Sequence, residues 1–198
     1  MTVGFAINTE DCFGCKTCQV ACANEHLLNT GVYLRRVRKI DMGESGGGTA
    51  FVSMSCNHCD EPKCVEVCPV GAYEKKDDGA VIQDHEKCIG CQSCIKACPF
   101  HAPCFDESEG ATYKCDTCID RRNAGLLPRC VVSCPGANIA FGDVDDVAGA
   151  YTDAVSIKDQ ASTSPNLYAK LDKDLNASIF SDIDGDTSVT VDRGGVDF

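Results

Sequence analysis

The spacing of the cysteines restricts this chain more than any other feature of its 198 residues. Sixteen of the 17 cysteines form four groups of four. The first and third groups read C-x2-C-x2-C-x3-C, the second C-x2-C-x4-C-x3-C and the fourth C-x2-C-x11-C-x3-C. Proline follows the last cysteine of three groups, at Pro69, Pro99 and Pro135, whereas Ala23 holds that place in the first. Only Cys104 lies outside the groups.

Cysteines at this pitch predict metal binding rather than disulfides. C-x2-C pairs repeat inside each group, whereas disulfides stabilise most by closing long loops. The N-terminal stretch MTVGFAINTEDC has neither the basic nor the apolar region of a secretory signal. The hydrophobic fraction of 43% includes the cysteines, and there is no Trp, so apolar side chains offer only a thin core. We therefore expect metal centres to fill the interior and the apo chain not to fold stably.

Cubic [4Fe-4S] clusters suit the spacing better than zinc. Three thiolates two residues apart can reach three iron corners of one cube, and a fourth cysteine followed by proline ligates the neighbouring cube. A zinc site needs only two C-x2-C knuckles and has no use for a third thiol at the same pitch. A structural zinc protein without redox function is the alternative from another class. A cluster with four thiolates has no open iron for substrate, so we expect one-electron transfer and no catalytic residue.

The order of the groups indicates how they pair. Nineteen residues separate Cys68 from Cys88, PVGAYEKKDDGAVIQDHEK, and they predict a strand, a turn and a strand inside one two-cluster module. The second and third groups then pair, which leaves the first for the fourth, although spacing alone also permits the third to pair with the fourth. Pairing the second group with the third and the first with the fourth predicts these ligand sets: Cys12, Cys15, Cys18 and Cys134 (set 1); Cys56, Cys59, Cys64 and Cys98 (set 2); Cys88, Cys91, Cys94 and Cys68 (set 3); Cys115, Cys118, Cys130 and Cys22 (set 4).

The predicted fold class is α+β, with two ferredoxin-like two-cluster modules, one inserted in the other. The outer module comprises residues 1–49 and 113–142, and the inserted module residues 50–112. Short strands such as GFAIN and AVIQD are expected to alternate with single helical turns that carry the fourth cysteines. Residues 143–198 contain twelve Asp, no Glu and four basic residues, and we expect an extended acidic tail that lies across a larger partner.

The net charge of -12 argues against nucleic acid and anionic lipid as direct partners. The sequence has no run of about 18 apolar residues, so no membrane span is expected. Within YLRRVRKI, the basic residues Arg35, Arg36, Arg38 and Lys39 indicate either an edge strand with a solvated face or a surface that docks an acidic partner.

Several residues beside the cysteines have two interpretations. Lys16, Lys63, Lys96 and Lys114 either tune cluster potentials or are solvated. His58 and His101 are expected beside the sites or at the surface rather than as ligands, because the cysteine sets are already complete. Gly14 and Gly90 are expected to let the backbone approach sulfur closely, and Cys104 to act as a small, half-buried hydrophobe.

The motifs CFGCKTCQVAC, CNHCDEPKCVEVCPVGA, CIGCQSCIKACPFHAP and YKCDTCIDRRNAGLLPRCVVSCP resemble the four-cluster iron–sulfur subunits of the dimethyl sulfoxide reductase superfamily, above all the B subunits. The resemblance covers about residues 5–142 and implies the nested pairing. It also implies four [4Fe-4S] clusters and no three-iron centre, since nitrate reductase relatives have Trp where this chain has Cys91.

The resemblance implies the partners too. These are a catalytic subunit that binds a molybdopterin guanine dinucleotide cofactor and, often, a membrane anchor that oxidises menaquinol. Set 1 is expected nearest the catalytic subunit and set 4 toward the electron donor. An iron–sulfur subunit of a formate dehydrogenase or hydrogenase, with the opposite electron flow, is the alternative. We expect a membrane-associated complex on the outer, periplasmic face, exported with a signal-bearing partner, or else a cytoplasmic complex.

Overall fold

The computed structural model describes residues 1–41, 48–173 and 175–180. It is a mixed α and β fold of short elements. The described strands are β1 (Val3–Asn8), β2 (Arg36–Asp41), β3 (Thr49–Met54), β4 (Tyr73–Lys75), β5 (Val81–Gln83), β6 (Cys104–Asp106), β7 (Ala111–Tyr113), β8 (Ile139–Asp143), β9 (Val155–Ser156) and β10 (Leu167–Lys170). The α-helices are α1 (Thr17–Glu25), α2 (Lys63–Glu66), α3 (Ser93–Ala97), α4 (Ile119–Asn123), α5 (Arg129–Val132) and α6 (Val144–Ala148). Short 3-10 helices cover His85–Lys87, Lys158–Gln160 and Ala177–Phe180.

A four-stranded sheet with the order β8-β1-β10-β9 forms one side of the molecule. Strand β1 pairs antiparallel with β8, where Phe5 lies opposite Phe141, and parallel with β10, where Phe5 lies opposite Leu167. All six residues of β1 are buried, which explains why VGFAIN is apolar almost throughout instead of alternating. The buried strand therefore anchors the start of the first cysteine loop, which follows β1.

Three two-stranded hairpins complete the strands: β2–β3, β4–β5 and β6–β7. The hairpin β4–β5 confirms the prediction from the connector between the second and third groups. Its strands are antiparallel, with Tyr73 opposite Gln83, and Gly79 turns the chain at a φ of 79°. Strands β1 and β5 likewise confirm the predicted strands GFAIN and AVIQD.

The short helices differ from the prediction in which cysteine they carry. Helices α2, α3 and α5 each contain the third cysteine of their group, and the fourth cysteine lies beyond the helix end. Cys98, for example, is extended at ψ 116° because the proline that follows disfavours helical backbone. In the first group Ala23 imposes no such restriction, so α1 includes both Cys18 and Cys22 and continues to Glu25.

The segment after residue 142 is not the extended tail that the sequence predicts, at least over residues 144–173. Strand β10 lies between β1 and β9, and Asn166 just before it is 1% exposed. The Asn166 side chain donates to the carbonyl of His58 at 2.8 Å and to Asp60 Oδ1 at 2.9 Å. The strand has only four residues, too few for their alternation to stand out in the sequence. Residues 181–198, the rest of that predicted tail, lie outside the described residues.

Cysteine side chains form much of the interior. The main cluster of buried residues combines apolar side chains such as Phe5, Ile7 and Phe100 with cysteines of the first, second and fourth groups, and the partly buried Cys98 of the third group packs against it. Helix α1 packs on α5, and α2 packs on α3, so the first group adjoins the fourth and the second adjoins the third. None of the helices in the described ranges is long and apolar enough to cross a membrane.

Candidate metal centres

The first three cysteines of the first group meet the last cysteine of the fourth group around one cavity. Cys12 and Cys15 lie on the loop after β1, Cys18 lies in the first turn of α1, and Cys134 follows α5. Residues of β1, β2 and β8 supply an apolar wall. The structure thus brings together all four members of set 1.

The second and third groups exchange their last cysteines in the same manner. One cavity is lined by set 2, namely Cys56, Cys59, Cys64 and Cys98. Another is lined by set 3, namely Cys68, Cys88, Cys91 and Cys94.

Set 4 lies in the interior. Cys22 of α1 and Cys130 of α5 are on packed helices, and Cys115 and Cys118 are on the loop after β7. All four are buried. Burial, and then the charges of Cys115 and Cys130, raise the pKa of Cys22, so these thiols share one electrostatic neighbourhood.

The chemistry of these sites fits iron–sulfur clusters. All 17 cysteines are free thiols, and each set offers four sulfur atoms. Burial raises the pKa of Cys98 to about 11 and that of Cys118 to about 11, so both are protonated at neutral pH without a metal. A bound cation reverses this preference, because a coordinating thiol loses its proton outright. The grouping of four cysteines around each cavity, rather than these pKa values, is what fits a metal cluster.

Exposure separates the four sets. Cys15 of set 1 and Cys91 of set 3 are exposed, whereas set 4 is entirely buried. Burial is the main cause of the raised pKa of Cys115 in set 4, followed by the charge of Cys130. The charge of Cys56, in set 2, raises this pKa further. The interior position of all four ligands argues against the expectation that set 4 lies toward an external electron donor.

Backbone amides donate to ligand sulfurs in a repeated pattern. The last cysteines of the second, third and fourth groups accept from the residue four positions later: Ala72 N to Cys68 Sγ at 3.2 Å, Ala102 N to Cys98 Sγ at 3.5 Å and Asn138 N to Cys134 Sγ at 3.3 Å. The first cysteines of the second and fourth groups accept from two positions later: His58 N to Cys56 Sγ at 3.5 Å and Thr117 N to Cys115 Sγ at 3.4 Å. Such donors stabilise negative charge on sulfur.

Side chains distant in sequence contribute further polar contacts to sulfur. Ser53 Oγ lies 3.3 Å from Cys18 Sγ, and His26 Nε2 lies 3.5 Å from Cys118 Sγ. Thr112 Oγ1 lies 3.5 Å from Cys88 Sγ and 3.6 Å from Cys94 Sγ. Sequence reasoning missed Ser53, His26 and Thr112, because nothing in the cysteine spacing indicates a residue on another strand or loop.

The glycines inside the ligand loops bring the backbone close to sulfur, as expected, since the backbone of Gly14 hydrogen-bonds Cys12 and that of Gly90 hydrogen-bonds Cys88. Gly14 and Gly90 have φ values of 72° and 67°, which favour glycine. An added Cβ on Gly14 would collide with the Phe51 ring, and one on Gly90 would collide with the Gly110 carbonyl oxygen. The loops therefore also pack closely on the hairpins that support them, β2–β3 and β6–β7.

Replacing Gly90 by Ala is expected to destroy the site of set 3. The new methyl group would collide with a backbone oxygen, which cannot move unless the whole β6–β7 hairpin shifts. We expect the loss of about four iron atoms, the content of one cluster, measured by iron analysis of the anaerobically purified protein.

Gly125→Ala is the matched control, because Gly125 also has a positive φ of 75° but no heavy atom within 4 Å of the added Cβ. It carries only the backbone penalty of about 1–2 kcal/mol. Full iron content in both variants would refute the importance of the contact between the loop and the hairpin.

The structure gives different environments to Lys63 and Lys114, two of the four lysines with two interpretations. Lys63 is partly exposed and also lines the cavity of set 2, and its Nζ forms an ion pair with Glu66 at 2.7 Å. Lys114 is 3% exposed, lines the cavity of set 2, and donates from Nζ to the carbonyls of Val81 and, at 2.8 Å, Cys115. Lys114 is therefore not solvated.

The remaining candidates are also accounted for. His58 is fully buried, and its Nδ1 accepts from Val81 N at 3.0 Å, while His101 is half-buried. Cys104 is 8% exposed and packs in the main core, which confirms its role as a small hydrophobe.

In the basic segment, β2 pairs with β3, but Arg35 just before it is 2% exposed, so it belongs to neither a solvated face nor a docking surface.

Comparison with protein families gives two matches, both to models described as a 4Fe-4S dicluster domain, over residues 5–79 and 48–144. Together these windows contain all four cysteine groups.

The protein is similar over most of its length to curated B chains and B subunits of reductases. It is 38% identical to the B chain of anaerobic dimethyl sulfoxide reductase from Escherichia coli over 179 residues, covering 84% of this chain and 87% of the relative. It is 38% identical to the counterpart from Haemophilus influenzae, covering 93% and 94%. The B subunit of tetrathionate reductase from Salmonella typhimurium is 34% identical, covering 82% of this chain and 69% of the relative.

Proposed function

Because this polypeptide belongs to the family of 4Fe-4S dicluster subunits that includes the B chains of dimethyl sulfoxide reductases, we propose that it holds four [4Fe-4S] clusters and carries electrons to or from a molybdopterin-containing catalytic subunit. It is an electron-transfer subunit of a multi-subunit reductase and is not catalytic on its own. The number of clusters, their ligands and the cofactor of the partner are the parts that we propose.

The exchange of cysteines between groups is the observation that carries the proposal. Three cavities each combine three cysteines of one group with the last cysteine of another, and set 4 gathers the remaining four thiols in the interior. We assign one cluster to each set, so that the first and fourth groups share two clusters and the second and third share two. This supports the nested arrangement, with the inserted module at about residues 50–112.

The clusters supply one-electron transfer without binding substrate. The polypeptide supplies sixteen sulfur ligands, the amide donors to sulfur and an interior that excludes water. Set 4 has the most secluded ligands, and sets 1 and 3 each include one exposed cysteine. The two partly exposed sites therefore give the protein two ends that partners can approach.

We assign the catalytic subunit to the end at set 1, and an electron donor such as a quinol-oxidising membrane anchor to the end at set 3. Phe13 in the loop of set 1 is 62% exposed, and Ile89 in the loop of set 3 is 61% exposed. Large apolar side chains beside exposed ligands are suited to burial against a partner.

The proposed location of the complex depends on how its clusters are inserted before export. Because the chain is expected to fold only around its clusters, export to the periplasmic face would require transport of an already folded complex. A membrane-associated complex on that face is our proposal, and a cytoplasmic complex is the alternative.

Metal analysis of the anaerobically purified complex tests the proposal. We expect about sixteen iron and about sixteen sulfide per chain, four of each per cluster, together with molybdenum in a copurifying large subunit. Zinc in place of iron would favour a structural protein, and a strong signal from an oxidised three-iron centre in the untreated protein would contradict four complete cubes. A copurifying formate dehydrogenase or hydrogenase large subunit would support the opposite electron flow.

A further inference from the structure

Arg35, in the outer module, is an almost completely buried cation. It lies just before β2 and has the largest side chain among those that are almost completely buried. Burying a guanidinium requires compensation by nearby negative charge, since transfer of an unpaired charge from water to the interior is strongly unfavourable.

All the direct partners of Arg35 are neutral. Its NH1 donates to the Ser53 carbonyl at 3.2 Å and to Ser53 Oγ at 3.1 Å, and its NH2 donates to Ser55 Oγ at 2.8 Å. The guanidinium carbon lies 4.8 Å from the centre of the Phe5 ring. Its Nε has no hydrogen-bond partner, and within the described residues no carboxylate forms an ion pair with it.

Sulfur is the negative charge that faces Arg35. Burial alone would lower the pKa of Arg35, but the charges of Cys130, Cys18, Cys115 and Cys22 outweigh it and raise that pKa. These cysteines come from two sets, Cys18 from set 1 and the other three from set 4. Contacts link Arg35 to Cys18 as well, since Ser53 Oγ lies 3.1 Å from the guanidinium and 3.3 Å from Cys18 Sγ. The link extends to set 4, because Cys22 lies one helical turn after Cys18 on α1, and α1 packs on α5, which carries Cys130.

We propose that Arg35 is the shared counter-ion of the two clusters held by sets 1 and 4, and that its charge raises the reduction potentials of both. The inference rests on the proposed cluster assignment. A [4Fe-4S] cube of core charge about +2 with four thiolates carries about -2, and one-electron reduction makes it about -3. A nearby fixed cation favours the more negative, reduced form. In the low dielectric of the interior this attraction is little screened by salt.

Arginine suits this role better than lysine. Its charge persists when it is buried, because its pKa lies far above neutral pH, and its planar group presents several donors at once. The two serines and the phenyl ring hold it in place without neutralising it. Its whole charge therefore acts on the sulfur sites on either side.

Potentiometric titration of the full-length chain in its purified complex, followed by EPR, tests the proposal with Arg35→Gln. We expect two of the four cluster potentials to fall by at least about 59 mV, which is a tenfold loss in the reduced-to-oxidised ratio of a one-electron couple. The two clusters of sets 2 and 3 should keep their potentials to within a small fraction of that shift.

Arg36→Gln is the matched control. Arg36 carries the same charge one residue away, but its NH1 donates to the carbonyl of His101 at 2.9 Å. We expect much smaller shifts for this variant. Equal potentials in Arg35→Gln and wild type, at full iron content, would overturn the role of Arg35.

Arg35→Lys keeps the test decisive if Arg35→Gln fails to retain its clusters. Lysine preserves the charge, so we expect Arg35→Lys to retain iron and most of the wild-type potentials. Loss of iron in both variants would mean that the shape of arginine matters rather than its charge, and would overturn the proposal. Should the wild type itself lack about sixteen iron atoms, the cluster assignment fails instead, so the two failures are distinguishable.

Discussion

Removing iron from the holo-protein is expected to abolish the cooperative fold. The main core contains buried cysteines of the first, second and fourth groups among its apolar side chains, and Cys98 of the third group packs against it. Without metal, these thiols revert to protonated side chains around empty space, and Arg35 and Lys114 lose the negative charge that compensates their burial. A native domain is stable by only about 5–15 kcal/mol, so losing several such contributions at once exceeds the margin.

Circular dichroism and thermal unfolding before and after anaerobic chelation measure this effect. We expect the holo-protein to unfold in a cooperative transition and the apo chain to show none, with recovery on adding iron and sulfide under reducing conditions. An apo chain that keeps a cooperative transition within a few degrees of the holo-protein would show that the apolar core suffices.

Replacing Cys98 by Ala is expected to remove the same cluster as replacing Cys56, and not the one removed by replacing Cys88. Cys98 belongs to the third group in sequence but lines the cavity of Cys56 and its companions. Each of the three variants should lose about four iron atoms. The EPR signals that disappear should match between Cys98→Ala and Cys56→Ala.

Cys104→Ala is the matched control for this comparison. Cys104 is as buried as many of the proposed ligands but lies in β6, outside the four sets. It should retain full iron content and all cluster signals. If Cys98→Ala and Cys88→Ala removed the same signal, each group would serve one cluster and the exchange of cysteines would be wrong. Cys68→Ala tests the same exchange from the other group, because it should match Cys88→Ala.

Local signals account for the parts of the fold that the sequence predicted. The connector with Asp77, Asp78 and Gly79 contains a turn between two short apolar runs, and it forms the β4–β5 hairpin. The prolines after the fourth cysteines limit the short helices. These helices end before the fourth cysteine, whereas the sequence predicted that they carry it. Strand β10 was missed because four residues do not establish a period and because its partner, β1, lies more than 150 residues away.

Residues that act on the sites from a distance were not predictable in this way. Arg35 was grouped with its basic neighbours as a surface feature, and Lys114 was left open between a tuning and a solvated role. Both are buried, because the chain folds the segments that carry them over the sulfur sites. Burial depends on what lies opposite a residue, and nothing in the basic run LRRVRK itself indicates which of its side chains is buried.

The sequence alone determined the chemistry of this protein. Thiol pitch is a local property, set by a few bonds between neighbouring ligands, so four groups of four indicate iron–sulfur clusters without any knowledge of the fold. Tertiary structure decided which sites face outward, which side chains donate to sulfur, and where the cations Arg35 and Lys114 are placed. Those features arise from contacts between segments far apart in the chain, and their free energies depend on distance and solvent exclusion, which residue order does not record.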